Sequence, residues 1–74
     1  MDNETLTRLR EYKSFIEGFL SLEKRALNGF KKPAQDDERG WVKYTEFTEP
    51  IARTITAYET CLGNLEERFP ELKG

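Results

Sequence analysis

Apolar residues recur at intervals of three and four over the first 28 positions, which is the spacing of an α-helix with one apolar side. The segment contains one glycine and no proline, and Asn28-Gly29 then supplies a helix stop signal. Asp2 or Asn3 can cap its start. The sequence therefore predicts a helix over about residues 3–28, roughly 39 Å long at about 1.5 Å per residue.

The apolar arc of this helix is wider than one partner helix requires. One stripe consists of Leu6, Leu9, Ile16, Leu20 and Leu27. A second group continues the stripe sideways and consists of Tyr12, Phe15, Phe19, Leu22 and Ala26. Together they cover roughly 200° of the circumference at about 100° per residue, whereas packing on a single helix needs only about 100°. We therefore expect the flank around Phe15, Phe19 and Leu22 to contact a partner.

A second helical pattern follows with a narrow apolar seam. Its members alternate spacings of four and three, as in a heptad, and are Ile51, Ile55, Tyr58, Leu62, Leu65, Phe69 and Leu72. Continuing the seam backwards gives Thr48, Tyr44 and Trp41. Proline disrupts a helix interior, so we predict a helical segment over about 38–48 and a helix over about 49–69, kinked or broken near Pro50. A short strand is the alternative for 40–47, but the chain offers no second strand to pair with it.

These patterns predict an all-α fold, with one small helical domain over 1–74 and a connection at about 29–37. The two helical parts should form an antiparallel hairpin. A core this small is marginal without a disulfide, a metal or oligomerisation. Cys61 is the only cysteine and histidine is absent, which excludes an intrachain disulfide and the usual Cys/His zinc site. We therefore expect several hairpins to assemble into a helical bundle.

Charge and cysteine content limit the classes of partner. Twelve basic and fourteen acidic residues give a formal net charge of −2, which disfavours nucleic-acid binding. No apolar run is long enough to span a membrane. The lone cysteine and the polar, acidic N-terminus favour the cytoplasm over secretion. We expect a cytoplasmic protein without nucleic-acid or membrane partners.

The sequence carries no catalytic or metal-binding motif, and we predict a protein that is not an enzyme and needs no cofactor. Without histidine, a Ser-His-Asp triad cannot form and Cys61 lacks its usual base. Proton transfer by Glu, Lys or Tyr stays open as an alternative.

Several residues outside the seam are candidates for self-association or partner binding. Glu23 falls inside the apolar arc, where it either reaches out to solvent or pairs with an arginine or lysine of the neighbouring helix. Alternatively, it is a buried acid that specifies register in an oligomer or binds a ligand cation or amine. Trp41, Tyr44 and Phe47 lie within seven residues and either cap the core or form a recognition patch. The predicted contact residues are Phe15, Phe19, Leu22, Glu23, Trp41, Tyr44 and Phe47.

Two functions remain open from the sequence. The first is a non-enzymatic interaction protein, either an inhibitor or a regulator, that acts as a homo-oligomeric helical bundle. The second is a module that sequesters a small anion or nucleotide at a subunit boundary, through Arg8, Tyr12, Arg39, Trp41 and Lys43. Residues 36–41 and 51–54 resemble small phage helical-hairpin proteins that sequester cyclic nucleotides, which implies the second function. The spacing between the two segments departs from that family, so no site residue is carried over from it.

Overall fold

Asp2 begins the first helix. Its carboxylate accepts a hydrogen bond from the backbone N–H of Thr5 at 2.7 Å, and α1 then spans Asn3–Asn28. This hydrogen bond holds the pKa of Asp2 below its usual 3.8. Glu4 in the first turn and Arg25 in the last complement the helix dipole. These features come from a computed structural model, which describes residues 1–73.

Asp37 begins the second helix in the same way. Its side chain accepts a hydrogen bond from the N–H of Gly40 at 2.9 Å, and α2 spans Glu38–Arg68. A short 3₁₀ helix, Pro70–Leu72, follows. The all-α prediction is confirmed, because the structure places two helices in contact and has no strand within residues 1–73. Residues 38–48 are helical, which excludes the strand alternative.

The predicted break near Pro50 is wrong, because α2 runs through this residue without interruption. Proline removes only one helical hydrogen bond, and Pro50 lies on the exposed side, where water can replace its missing donor. Thr48 and Ile51 are covered on either side of it, so the seam continues across the proline. The two predicted segments are therefore one helix, and a bend at Pro50 stays a prediction.

The two helices pack along a single seam. The α1 residues that are not exposed repeat every three and four positions and are Leu6, Leu9, Lys13, Ile16, Leu20, Glu23 and Leu27. The α2 seam follows the predicted heptad from Trp41 to Phe69, and Leu72 of the 3₁₀ helix completes the core. Only Ile16, Ile55 and Leu72 are buried hydrophobic residues among those described, so the core is one residue deep.

The helices are staggered along the seam. Lys24 is level with Glu59, with 3.9 Å between their charged atoms, and Lys13 is level with Glu66 at 3.3 Å. α1 ends one turn beyond Lys24, whereas α2 begins about 31 Å before Glu59 at about 1.5 Å per residue. The first part of α2 therefore extends well beyond α1.

The connection folds back along this overhanging part of α2. The indole Nε1–H of Trp41 donates a hydrogen bond to the carbonyl of Ala34 at 2.9 Å. Phe30 stacks on Phe47, with ring centroids 6.3 Å apart. At the other end, Nζ of Lys13 donates a hydrogen bond to the carbonyl of Leu72 at 2.7 Å and holds the 3₁₀ helix against α1. The connection thus covers the overhanging part of α2, and the 3₁₀ helix covers part of α1 at the other end.

Candidate interaction surface

One side of the hairpin is formed by the residues that immediately precede a seam residue. In an antiparallel helix pair, these flanks of the two helices lie on the same side. On this side Phe19 of the α1 flank stacks on the seam residue Tyr58 of α2, with ring centroids 6.2 Å apart. We call this surface the front face. Its central α1 row is Tyr12, Phe15, Phe19, Leu22 and Ala26, and its central α2 row is Phe47, Pro50, Thr54, Ala57, Cys61 and Asn64. Beyond these rows the corresponding positions are charged, with Arg8 in α1 and Lys43 and Arg68 in α2.

The central rows of the front face carry no charged residue, although 35% of the chain is charged. The opposite side, the back face, is formed by the residues that follow a seam residue. It contains the ion pair between Lys24 and Glu59, as well as Arg10, Glu17 and Glu66. Charge is therefore segregated: ion pairs join the helices on the back, and apolar or small residues occupy the front.

The α1 row of the front face consists of large side chains that remain in water. The exposed fraction is 64% for Phe15, 42% for Phe19 and 59% for Leu22. Phe15 and Phe19 meet edge to face, with ring centroids 4.8 Å apart. Beside them Gly18 leaves a notch, because a Cβ atom there would meet no atom within 4 Å. The notch and the rings form a shallow groove with Glu11, Ser14 and Leu22.

The α2 row consists mostly of small side chains. Over the length where α1 and α2 overlap, it presents Thr54, Ala57, Cys61 and Asn64. Ala57 and Asn64 are exposed, and Cys61 is an exposed free thiol. The front face therefore has one row of large residues beside one row of small residues.

The hairpin exposes more surface than a compact protein of its size. It measures 56 × 18 × 17 Å, and its radius of gyration is 16.9 Å, whereas about 11 Å is typical of a compact domain of this length. Its accessible surface is 6062 Å², against about 4,700 Å² for a compact monomer of this mass. The excess of about 1,300 Å² is the area that a closed core would have buried.

Glu23 occupies a seam position and is half-buried. The pairing alternative is not observed within residues 1–73, where the interhelical ion pairs use Lys13 and Lys24, and the other roles of Glu23 stay predictions. Lys13 is a structural residue that the sequence analysis missed. Its position between Leu9 and Ile16 on the seam was the available signal, and its long side chain reaches Glu66 and Leu72 beside the seam.

The aromatic trio of α2 is divided between two roles. Trp41 and Tyr44 are half-buried and meet edge to face at 5.5 Å, with the Trp41 indole bonded to the connection. Phe47 is exposed and lies on the front face. The indole N–H of Trp41 is thus already hydrogen-bonded within the chain. Binding of a partner by Trp41, Tyr44 or Phe47 stays a prediction.

One chain does not bring together the residues predicted to bind a small anion. Arg39 and Lys43 share a shallow groove with Glu38 and Glu46, whose carboxylates oppose an anion. Arg8 is paired with Glu4 at 2.9 Å near the start of α1. Tyr12 lies about 24 Å before the end of α1. Trp41 lies still further away, on the first part of α2, which extends beyond the end of α1. Such a site would need residues from different copies.

Among residues 1–73, no group of three His, Cys, Asp or Glu side chains is arranged to hold a metal ion. None of the helices described combines the length and the apolar character needed to cross a bilayer. Comparison of the chain with protein-family models, curated proteins and solved structures finds no match.

Proposed function

We propose that this chain is a non-enzymatic interaction protein, of the regulatory or inhibitory kind, that acts as a homo-oligomeric helical bundle. The observation that carries the proposal is the α1 row of the front face, where Phe15, Phe19 and Leu22 stand exposed side by side. Contiguous apolar patches of this kind mark interaction surfaces on soluble proteins. Tyrosine and phenylalanine are also residues enriched at the centres of interfaces.

The energy available from covering this row is substantial for so small a protein. Full burial of a Phe or Leu side chain contributes about 1.5–3 kcal/mol, and more than half of Phe15 and Leu22 is still in water. Each of them can therefore contribute about 1 kcal/mol or more per copy on association. A hairpin whose core is one residue deep gains stability chiefly by such association.

Light scattering at micromolar concentration tests the proposal. We expect a mass of at least twice the 8.7 kDa of the chain. Phe15→Glu and Leu22→Glu should each reduce the mass to that of the monomer, because they place a charge in the contact. Val42→Glu is the matched control, since Val42 is 59% exposed but lies on the back face, and it should leave the mass unchanged.

Two results would overturn the proposal. The first is a monomer at all concentrations for the unmodified chain. The second is stabilisation by a nucleotide or another anion in a thermal-shift screen, lost in Trp41→Ala or Lys43→Ala, because this would favour the small-ligand function.

A further inference from the structure

We infer that a second copy of this chain docks on the front face, with α1 of each copy lying over α2 of the other. This inference rests on the proposed function and adds the geometry of the assembly. The occupant follows from three properties of the front face: its area, its lack of charge and the unequal size of its two rows.

The total exposed surface exceeds that of a compact monomer by more than a stable dimer interface buries on each partner. Specific interfaces bury about 800 Å² on each partner. The hairpin exposes 6062 Å², about 1,300 Å² more than a compact monomer of its mass. A second copy on the front face would remove most of this excess and turn a two-helix seam into a four-helix core.

The lack of charge in the two rows lowers the desolvation free energy that opposes face-to-face docking. Neither central row of the front face contains a charged residue, so docking over these rows desolvates no charge from them, and Arg8, Lys43 and Arg68 lie beyond their ends. The interhelical ion pair of Lys24 with Glu59 lies on the back face and would remain in water. The back face, in contrast, could be covered only by burying charged side chains.

The unequal size of the rows selects which helices meet. Cores pack best when large side chains face small ones. Phe15, Phe19 and Leu22 would fill the space over the small α2 row of the second copy. The other face-to-face arrangement places α1 over α1, where the rings oppose one another and the small α2 rows leave a gap. Every neighbouring helix pair is antiparallel in both arrangements, so the helix dipoles favour neither of them and side-chain size decides.

Symmetry then fixes which residues meet. This arrangement has a two-fold axis parallel to the helices, and rotation about that axis does not shift one copy along the other. An α1 residue of one copy therefore lies at the same height along the helix axis as the α2 residues that it faces within its own chain. Within one chain, Phe19 stacks on Tyr58 and Lys24 reaches Glu59. Phe19 of one copy should lie near Cys61 of the other, and Leu22 near Ala57.

The single cysteine provides a test on the unmodified chain. Cys61 is exposed in one hairpin but would be covered by Phe19 of the second copy. Its alkylation by N-ethylmaleimide should slow in proportion to the fraction of free hairpin, about tenfold at concentrations well above the dimer Kd. Phe15→Glu should restore fast alkylation at the same concentration. A rate that is independent of concentration in a confirmed dimer would overturn the inference.

Cross-linking between two variants tests the helix pairing directly. We would mix Leu22→Cys with Ala57→Cys, both carrying Cys61→Ser, and oxidise the mixture. A covalent dimer containing one chain of each is expected, and it cannot arise within one chain. Ala52→Cys replaces Ala57→Cys in the control mixture, because Ala52 is an exposed alanine of α2 on the back face. This mixture should not cross-link.

The outcomes separate the inference from the proposed function. A monomeric mass by light scattering contradicts both. A dimer in which Cys61 reacts at the monomer rate, or in which the Ala57→Cys mixture cross-links no better than the control, contradicts the inference alone. Protection of Cys61 in the unmodified dimer does not depend on whether any variant folds.

Discussion

Phe19 in α1 stacks on Tyr58 in α2, with an angle of 18° between the ring planes and 6.2 Å between their centroids. Phe19 belongs to the front face and Tyr58 to the seam, so this contact joins the exposed surface to the core. Phe15 extends the same cluster towards solvent through its edge-to-face contact with Phe19. The proposed contact surface is thus anchored to the hairpin rather than carried on a free helix.

This anchoring predicts that the two phenylalanines differ in their contribution to the hairpin itself. In a Leu22→Glu background, designed to be monomeric, Phe19→Ala should lower the free energy of unfolding by about 1–2 kcal/mol more than Phe15→Ala, because it removes the Tyr58 stack as well as apolar area. Urea denaturation followed by circular dichroism measures the difference. Equal losses would mean that the stack contributes no stability.

Lys13 should stabilise the hairpin more than Lys24 does. Lys13 is half-buried, donates to the Leu72 carbonyl at 2.7 Å and lies 3.3 Å from Glu66. Lys13→Ala should cost about 1–3 kcal/mol in the free energy of unfolding, the range for a lost charged hydrogen bond. Lys24→Ala is the control and should cost less than about 1 kcal/mol, because its pairing with Glu59 is exposed and long. A larger loss from Lys24→Ala would contradict this account.

The glycines of α2 should respond to alanine in opposite directions. A Cβ at Gly63 would meet no atom within 4 Å, so Gly63→Ala should raise the free energy of unfolding by about 1 kcal/mol through helix propensity. A Cβ at Gly40 would come within 2.3 Å of the Asp37 carboxylate and 3.0 Å of Pro33. Gly40→Ala should therefore displace the Asp37 cap and lower stability. Thermal denaturation of both variants checks the signs, and a stabilising Gly40→Ala would refute the cap.

Pro50 should be replaceable with a gain in stability. It lies within α2 on the exposed side, and an interior proline costs a helix up to about 3 kcal/mol relative to alanine. Pro50→Ala should raise both the helical signal and the melting temperature. A loss of stability would instead show that a bend at Pro50 is needed for packing. Comparing the solution mass of Pro50→Ala with that of the unmodified chain would show whether this packing is between copies.

Acid should loosen the start of α1 through Asp2. Its hydrogen bond from Thr5 lowers the pKa of the carboxyl group in the folded chain below the usual 3.8. The stabilisation is therefore fully present above the unfolded pKa and is lost as the pH falls through the lower, folded value. The protection factor of the Thr5 amide, which is its exchange rate relative to the intrinsic rate at the same pH, should fall in acid. Asp2→Asn retains an acceptor without a titrating charge and should show a smaller dependence on pH at this amide.

Much of this architecture was predictable because helical periodicity is local. The spacing of Leu6, Leu9 and Ile16 predicted the α1 seam, and the heptad from Ile51 to Phe69 predicted the α2 seam. The surplus flank of α1 was predictable for the same reason, since Phe15 and Leu22 fall beyond the arc that one partner can cover. Lys13 was not predicted as a seam residue because the seam was assigned from apolar residues alone, and a lysine at a seam position does not enter that pattern.

The sequence by itself determined that two amphipathic helices form and that α1 carries more apolar surface than one helix covers, because side-chain periodicity depends only on neighbours in the chain. Only the tertiary structure decided the stagger of the helices, the partners of Lys13, the continuity of α2 through Pro50 and the joining of two uncharged rows at the centre of one front face. These depend on the level and the side at which α1 meets α2. That relation arises from contacts between residues far apart in the chain, such as Phe19 with Tyr58, which no local pattern specifies.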